Sequence, residues 1–257
     1  MNKTECDDEI LNCYTTKSVQ KFLPKFKDNQ VQHTDMKLQN HVILVGTTGS
    51  GKTNCLCNYI QRTAVNGKPT FQHMILVYKV DEPLYRTLQE QLGDNITCYR
   101  SIKDLPPVQM FPESGEKNPM QLLLVFDDCV NDVSRDDLKK MDDYYAFGRK
   151  HGFTIFFLSQ SYFATHKFLR LQSSYVILNS ISDKRDLRLI LKTYNVGVDV
   201  DTAELMYRFA KEKRSPDDIP FLKINARGDC PIEKKFSRNF RTFLNPEDFV
   251  VVKKGKK

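Results

Sequence analysis

A chain of 257 residues, 40% hydrophobic and 28% charged, can bury a full core and has the composition of a globular protein, which excludes a disordered or fibrous chain. No stretch approaches the ~20 apolar residues that span a bilayer. The opening "MNKTECDDEILNCYTTK" is too polar and acidic to read as a signal peptide, so a reducing compartment is expected. A net charge of +7 suits a polyanionic partner such as nucleic acid, though an ordinary basic protein with a frayed tail would carry it as well.

In chain order, residues 1–35 are polar and weakly patterned and read as an N-terminal arm. Residues 36–247 read as one domain, and 248–257 as a basic tail ending in "KKGKK". Apolar runs at 42–45, 74–78, 96–99, 122–126, 154–158 and 175–178 predict strands. Several are continuous, as expected for central strands covered on both faces. A helix is expected over 52–65, closed by Asn66-Gly67 as its C-cap. Ser134-Arg135-Asp136-Asp137 reads as a capping box opening a second helix, and Asp201-Thr202-Ala203-Glu204 opens another. The alternation predicts an α/β fold with a mostly parallel sheet between helices. Residues 101–120, with four prolines, read as a surface excursion. Near the end, 221–225 and 232–236 flank Arg227-Gly228-Asp229 as a terminal hairpin. The seven cysteines include no CxxC pair and read as buried free thiols.

The stretch "HVILVGTTGSGKTNCLCNYI" carries the first chemistry. Gly46, Thr47, Thr48, Gly49, Ser50, Gly51, Lys52 and Thr53 fit G-x-x-x-x-G-K-[ST] in full, between an expected strand and an expected helix. Glycines in such a loop turn backbone N–H groups inward as an anion nest, and the helix N-terminus adds its dipole. Lys52 would reach the β- and γ-phosphates of ATP and the Thr53 hydroxyl would ligate Mg²⁺. "QLLLVFDDCV" supplies the carboxylate such a site requires: Asp127 at the metal's water shell and Asp128, one residue on, to orient and deprotonate the attacking water. The strand at 154–158 ends in Ser159-Gln160-Ser161, where the Gln160 amide can touch both the γ-phosphate and the water and report hydrolysis.

The order of these motifs resembles the FtsK–HerA superfamily of DNA-pumping ATPases. "VFDDCV", "FGRKHGFTIFFLSQSYF" and "FLRLQSSYVIL" are most similar to the genome-packaging ATPases of large DNA viruses, virophages and polinton-like elements. The resemblance runs from about His41 to Leu191. It implies a RecA-like P-loop NTPase fold that binds ATP–Mg²⁺ through Lys52 and Thr53, with Gln160 as sensor. Asp128 stands where many members carry a glutamate, which is one methylene longer. An arginine finger inserted into a neighbour's site is also implied, with Arg170 and Arg149 as candidates. The implied partners are double-stranded DNA, further copies of the chain in a ring, and capsid or vertex proteins. The implied location is the host-cell cytoplasm, with the virion as a second place. Lys139, Lys140, Arg149 and Lys150 are candidates to face DNA phosphates. A helicase of the same superfamily stays open, as does a nucleoside or small-molecule kinase using Arg185 and Arg188 as a phosphate clamp.

Overall fold

The computed structural model describes residues 16–17, 31–114, 120–130, 133–194 and 197–249. Most of the expected arm and nearly all of the basic tail lie outside them. The described strands are β1 (His41–Val45), β2 (His73–Tyr78), β3 (Ile96–Tyr99), β4 (Leu122–Asp127), β5 (Phe153–Ser159), β6 (Tyr175–Leu178), β7 (Leu222–Asn225), β8 (Phe236–Arg238) and β9 (Thr242–Phe243). They form one sheet in the order β3-β2-β4-β5-β1-β6-β7-β8-β9. From β3 to β6 every pairing is parallel, and from β6 to β9 every pairing is antiparallel. All six strands expected from apolar runs are present.

Among the described residues six helices cover the sheet: α1 (Lys52–Thr63), α2 (Pro83–Leu92), α3 (Arg135–Phe147), α4 (Lys167–Gln172), α5 (Lys184–Tyr194) and α6 (Val200–Lys211). Because strand side chains alternate, each central strand splits its apolar residues between two cores. Val42, Leu44, Leu123, Val125, Phe156 and Leu158 pack with Leu56 and Tyr59 of α1 and Tyr85 and Leu88 of α2. Ile43, Val45, Leu124, Phe126, Ile155 and Phe157 pack on the other face against α3, α4, α5 and α6. This double covering is why the strands read as unbroken apolar runs. Among the described residues no helix is long and apolar enough to cross a membrane.

Four local expectations are corrected. Helix α1 stops at Thr63, and Asn66 and Gly67, at φ 51° and 72°, form the tight turn between bridged Val65 and Lys68 instead of a cap. The N-cap of α6 is Asp199, whose carboxylate accepts from the N–H groups of Asp201 and Thr202, so the helix begins before Asp201. The return strand of the terminal hairpin is β8, while Ile232–Lys234 is a 3-10 turn that brings Lys235 O to Asn225 N. Finally, the 101–120 segment is not merely a surface excursion. Its Ile102, Leu105 and Val108 are buried against α3 and the sheet, and Lys140 Nζ donates to the carbonyls of residues 102, 103 and 105. The capping box at Ser134 and Asp137 forms as expected.

Candidate nucleotide-binding site

In a parallel sheet the strand C-termini share one edge, and ligands bind there where the chain crosses from one side to the other. Strand β1 lies between β5 and β6, so the glycine loop leaves the sheet at this point. Its first residues stay anchored to both neighbours, with Gly46 N donating to Ser159 O at 3.1 Å and Thr47 N to Ser180 O at 3.0 Å. Gly49 and Gly51 then take φ of 72° and 91°, the left-handed values that aim successive N–H groups inward. A side chain at Gly46 would sit 2.4 Å from Ser50 Oγ, so the loop can close only over glycine. Lys52, at the start of α1, folds back to donate to Gly46 O at 3.0 Å and Thr47 O at 3.4 Å. Its ammonium thus stands over the concavity that the loop encloses.

On the β4 side, Asp127 is nearly buried at the end of its strand. Burial raises its pKa to about 6, with Asp128 and Glu82 adding to the rise and the Tyr85 hydroxyl and Lys52 opposing it. Tyr85 donates to Asp127 Oδ2 at 2.7 Å, and the Thr53 hydroxyl donates to Glu82 Oε2 at 2.6 Å. Asp128 takes φ 51°, a left-handed turn that re-aims its side chain, and its N–H donates to Leu158 O at 3.1 Å on β5. Gln160, just past β5, joins the two sides: its Nε2 donates to Asp128 Oδ2, and its Oε1 accepts from the Thr48 hydroxyl at 2.9 Å. The structure therefore brings Thr48, Lys52, Thr53, Asp127, Asp128 and Gln160 together at one strand edge.

Glu82, Tyr85 and Asn179 belong to the same constellation and were not read from the sequence. Glu82 is the N-cap of α2, ahead of Pro83. An acid before a proline just after a buried strand was the signal available for it. Asn179, fully buried after β6, donates from Nδ2 to Ser50 O at 3.1 Å. It is held from below by Tyr207 of α6, whose hydroxyl donates to Asn179 O and accepts from Ile181 N. Thr53, Asp127 and Glu82 offer the hard oxygens that Mg²⁺ takes. Among the described residues no three His, Cys, Asp or Glu side chains converge into a preformed metal centre.

The remaining expected residues lie elsewhere. Arg149 is exposed in the turn before β5, near His41 at the N-terminal end of β1, on the opposite edge of the sheet from the loop. Arg170 on α4 donates from Nε to Thr165 O at 3.0 Å and lies over the Tyr162 ring at 4.9 Å. Of the expected DNA-facing cations, Lys139 is exposed, Lys140 is taken by the carbonyls named above, and Lys150 pairs with Glu113 at 2.6 Å. Arg188 pairs with Asp201 and Glu204 of α6 and is not free to clamp a substrate phosphate.

Several solved structures share this fold. The DNA-packaging ATPase B204 from Sulfolobus Turreted Icosahedral Virus is 14% identical, with a TM-score of 0.50 over 79% of this chain and 98% of that one. The genome packaging NTPase B204 from Sulfolobus turreted icosahedral virus 2, in complex with AMP, is 15% identical with a TM-score of 0.52 over the same shares. The cytoplasmic domain of the Thermomonospora curvata Type VII secretion ATPase EccC is 17% identical with a TM-score of 0.52, over 79% of this chain and 25% of that one. The nine-stranded sheet is thus that of a RecA-like P-loop NTPase. No curated protein sequence matches. Residues 24–215 match the family described as Poxvirus A32 protein, and the chain belongs to that family.

Proposed function

We propose that this chain is a Mg²⁺-dependent ATPase that moves double-stranded viral DNA into a capsid as a ring of identical subunits in the infected cell. The observation that carries the reading is the Gln160 bridge between the phosphate loop, at Thr48, and the acidic strand end, at Asp128. A γ-phosphate entering the loop meets Thr48 and Lys52, and its loss on hydrolysis frees the Gln160 amide to re-form the bridge. The site thereby carries a switch as well as a pocket, which a translocase requires. The fold relatives from Sulfolobus viruses, described as packaging enzymes and studied with ATP-gammaS and AMP, support the same direction.

In this reading Lys52 neutralises the β- and γ-phosphates, and Thr53 and Asp127 hold the cation's side of the site. Mg²⁺, held from the side of Thr53 and Asp127, would supply positive charge to offset the negative charge developing on the phosphate. Asp128 orients the attacking water and takes its proton, while Tyr85 fixes the rotamer of Asp127. DNA contacts would go to backbone phosphates, so binding is sequence-tolerant and falls steeply with salt.

The test is ATP turnover with and without duplex DNA of unrelated sequences. Stimulation at low salt that disappears with salt, by ~10³-fold in affinity between roughly 50 and 200 mM for six phosphate contacts, supports translocation. Strand separation on forked DNA would assign the chain to helicase work instead. Phosphate transfer to a nucleoside without any response to DNA would overturn the motor.

A further inference from the structure

The catalytic side chains all lie on one side of the glycine loop. Asp127, Asp128 and Gln160 follow β4 and β5, which flank β1 on one hand, while β6 and β7 flank it on the other. A triphosphate whose γ-phosphate faces β4 must run across the N-terminus of α1 toward β6 and β7. Its nucleoside half then leaves the loop on that far side, beside the outer face of α1.

A cleft of about 270 Å³ lies there, lined by Asn54, Asn58 and Arg62 of α1, by residues 217–219 and by Asn239. Its first residue, Asn54, directly follows Thr53 of the loop. Ile219 roofs the junction of loop and helix so closely that a side chain on Gly51 would stand 2.3 Å from its Cγ2. Yet Ile219 remains 41% exposed, an apolar surface in a cleft whose wall also includes Phe221 and Phe240. The segment bearing it is braced, because the Asp218 carboxylate accepts from Arg238 Nη2 at 2.6 Å and from Arg214 N at 3.2 Å. Asn58 spends its Nδ2 on Asn54 O, which leaves its Oδ1 and the whole Asn54 amide to meet an incoming ligand. Asp217 stands exposed at the rim.

We infer that this cleft is the nucleoside subsite of the ATPase. This rests on the P-loop reading above and adds to it where the base and ribose go. Ile219 supplies the flat apolar contact for the base. The Asn54 and Asn58 amides, each with acceptor and donor capacity, meet the base edge, and Asp217 accepts from ribose hydroxyls. Gly51 is needed twice, for its φ and for the approach of Ile219.

Calorimetric titration of the full chain with Mg²⁺ and either adenylyl imidodiphosphate or inorganic tripolyphosphate separates the two halves of the site. The wild-type chain should bind the nucleotide at least about tenfold tighter than tripolyphosphate, one lost contact of this kind being about tenfold in affinity. Ile219→Ser and Asn58→Leu, neither of which adds charge beside the loop, should each erase most of that preference and leave tripolyphosphate affinity unchanged. Equal affinity for the two ligands in the wild type would overturn the subsite, as would variants that keep the preference or weaken both ligands alike. Lys52→Ala should lose both ligands. If it loses neither, the P-loop reading fails independently of the cleft.

Discussion

Lys223, in the middle of β7, has no solvent exposure. Its Nζ donates to Thr34 O at 3.0 Å and Phe240 O at 2.6 Å and lies 3.6 Å from Asp35 Oδ2. Burial pushes the ammonium down to about 8, with Asp35 opposing the shift and Arg241 adding to it. The folded value lies below that of an unfolded lysine, ~10.4. Between those two values the unfolded chain binds more protons, so this group's contribution to stability rises with pH across that window and is flat below it. Lys223→Met removes the titration together with these carbonyl contacts and the Asp35 ion pair. Its urea midpoint should be lower than wild type at every pH, and the gap should widen from about pH 7.5 to about 9.5. A constant or narrowing gap would show that Lys223 is not the titrating group.

The same scale holds the division of labour between Asp128 and Gln160. Gln160→Ala cuts both ends of the bridge while leaving Lys52 and the loop intact. Nucleotide affinity should therefore stay within about threefold, while the response of turnover to DNA is lost. Asp128→Asn keeps an acceptor for Gln160 but loses the charge, so bound ATP should persist with turnover reduced by ~10² or more, the range of a lost general base. If turnover is unchanged, Asp128 serves only the bridge and the base lies elsewhere. Glu82, already on Thr53, is then the next carboxylate to replace.

At the scale of elements, α6 tests how local signals are read. Asp199 caps it through two N–H groups, whereas Asp201 lies within the first turn and pairs with Arg188 at 2.8 Å. Asp199→Ala should cost ~1 kcal/mol in chemical denaturation, and Asp201→Ala, which loses an exposed ion pair, at most about 0.5 kcal/mol. Equal costs would mean that the helix start is set by packing of Met206 and Tyr207, not by the cap. Asp201-x-x-Glu204 fits the capping-box pattern and Asp199-x-x-Thr202 does not, yet it is Asp199 that caps the helix. The sheet was legible because doubly covered strands must be continuous apolar runs, and the phosphate loop because its eight residues are contiguous. Glu82 and Asn179 were not, since each meets the loop or α1 only through strand order: Thr53 and Glu82 are 29 residues apart, Ser50 and Asn179 are 129. Nor does a proline-rich stretch announce that Ile102, Leu105 and Val108 will roof α3. Spacing within a segment fixes its own turn, but not the neighbour it covers.

For the whole molecule, the proposed ring would complete each site with an arginine from a neighbouring subunit. Strand β5 separates Arg149 from the loop edge by seven residues, about 20 Å at a strand's rise of ~3.3 Å per residue. Arg149 is therefore too far away to serve its own subunit's phosphates. Arg170 is half-buried and stacked on Tyr162, so it would have to exchange that contact for a phosphate. A head-to-tail ring, the assembly we propose, gives each interface one loop from one subunit and one arginine from the next. Lys52→Ala subunits alone should be inactive, and subunits lacking the acting arginine should be nearly so. Mixed in equal amounts, roughly a quarter of random head-to-tail interfaces join an intact loop to an intact arginine. Only one of Arg149→Ala and Arg170→Ala should be inactive alone, and activity that reappears when that variant is mixed with Lys52→Ala identifies its arginine as the finger. Mixed oligomers that form, as judged by size, yet stay inactive with that variant would mean that the site is completed within one subunit.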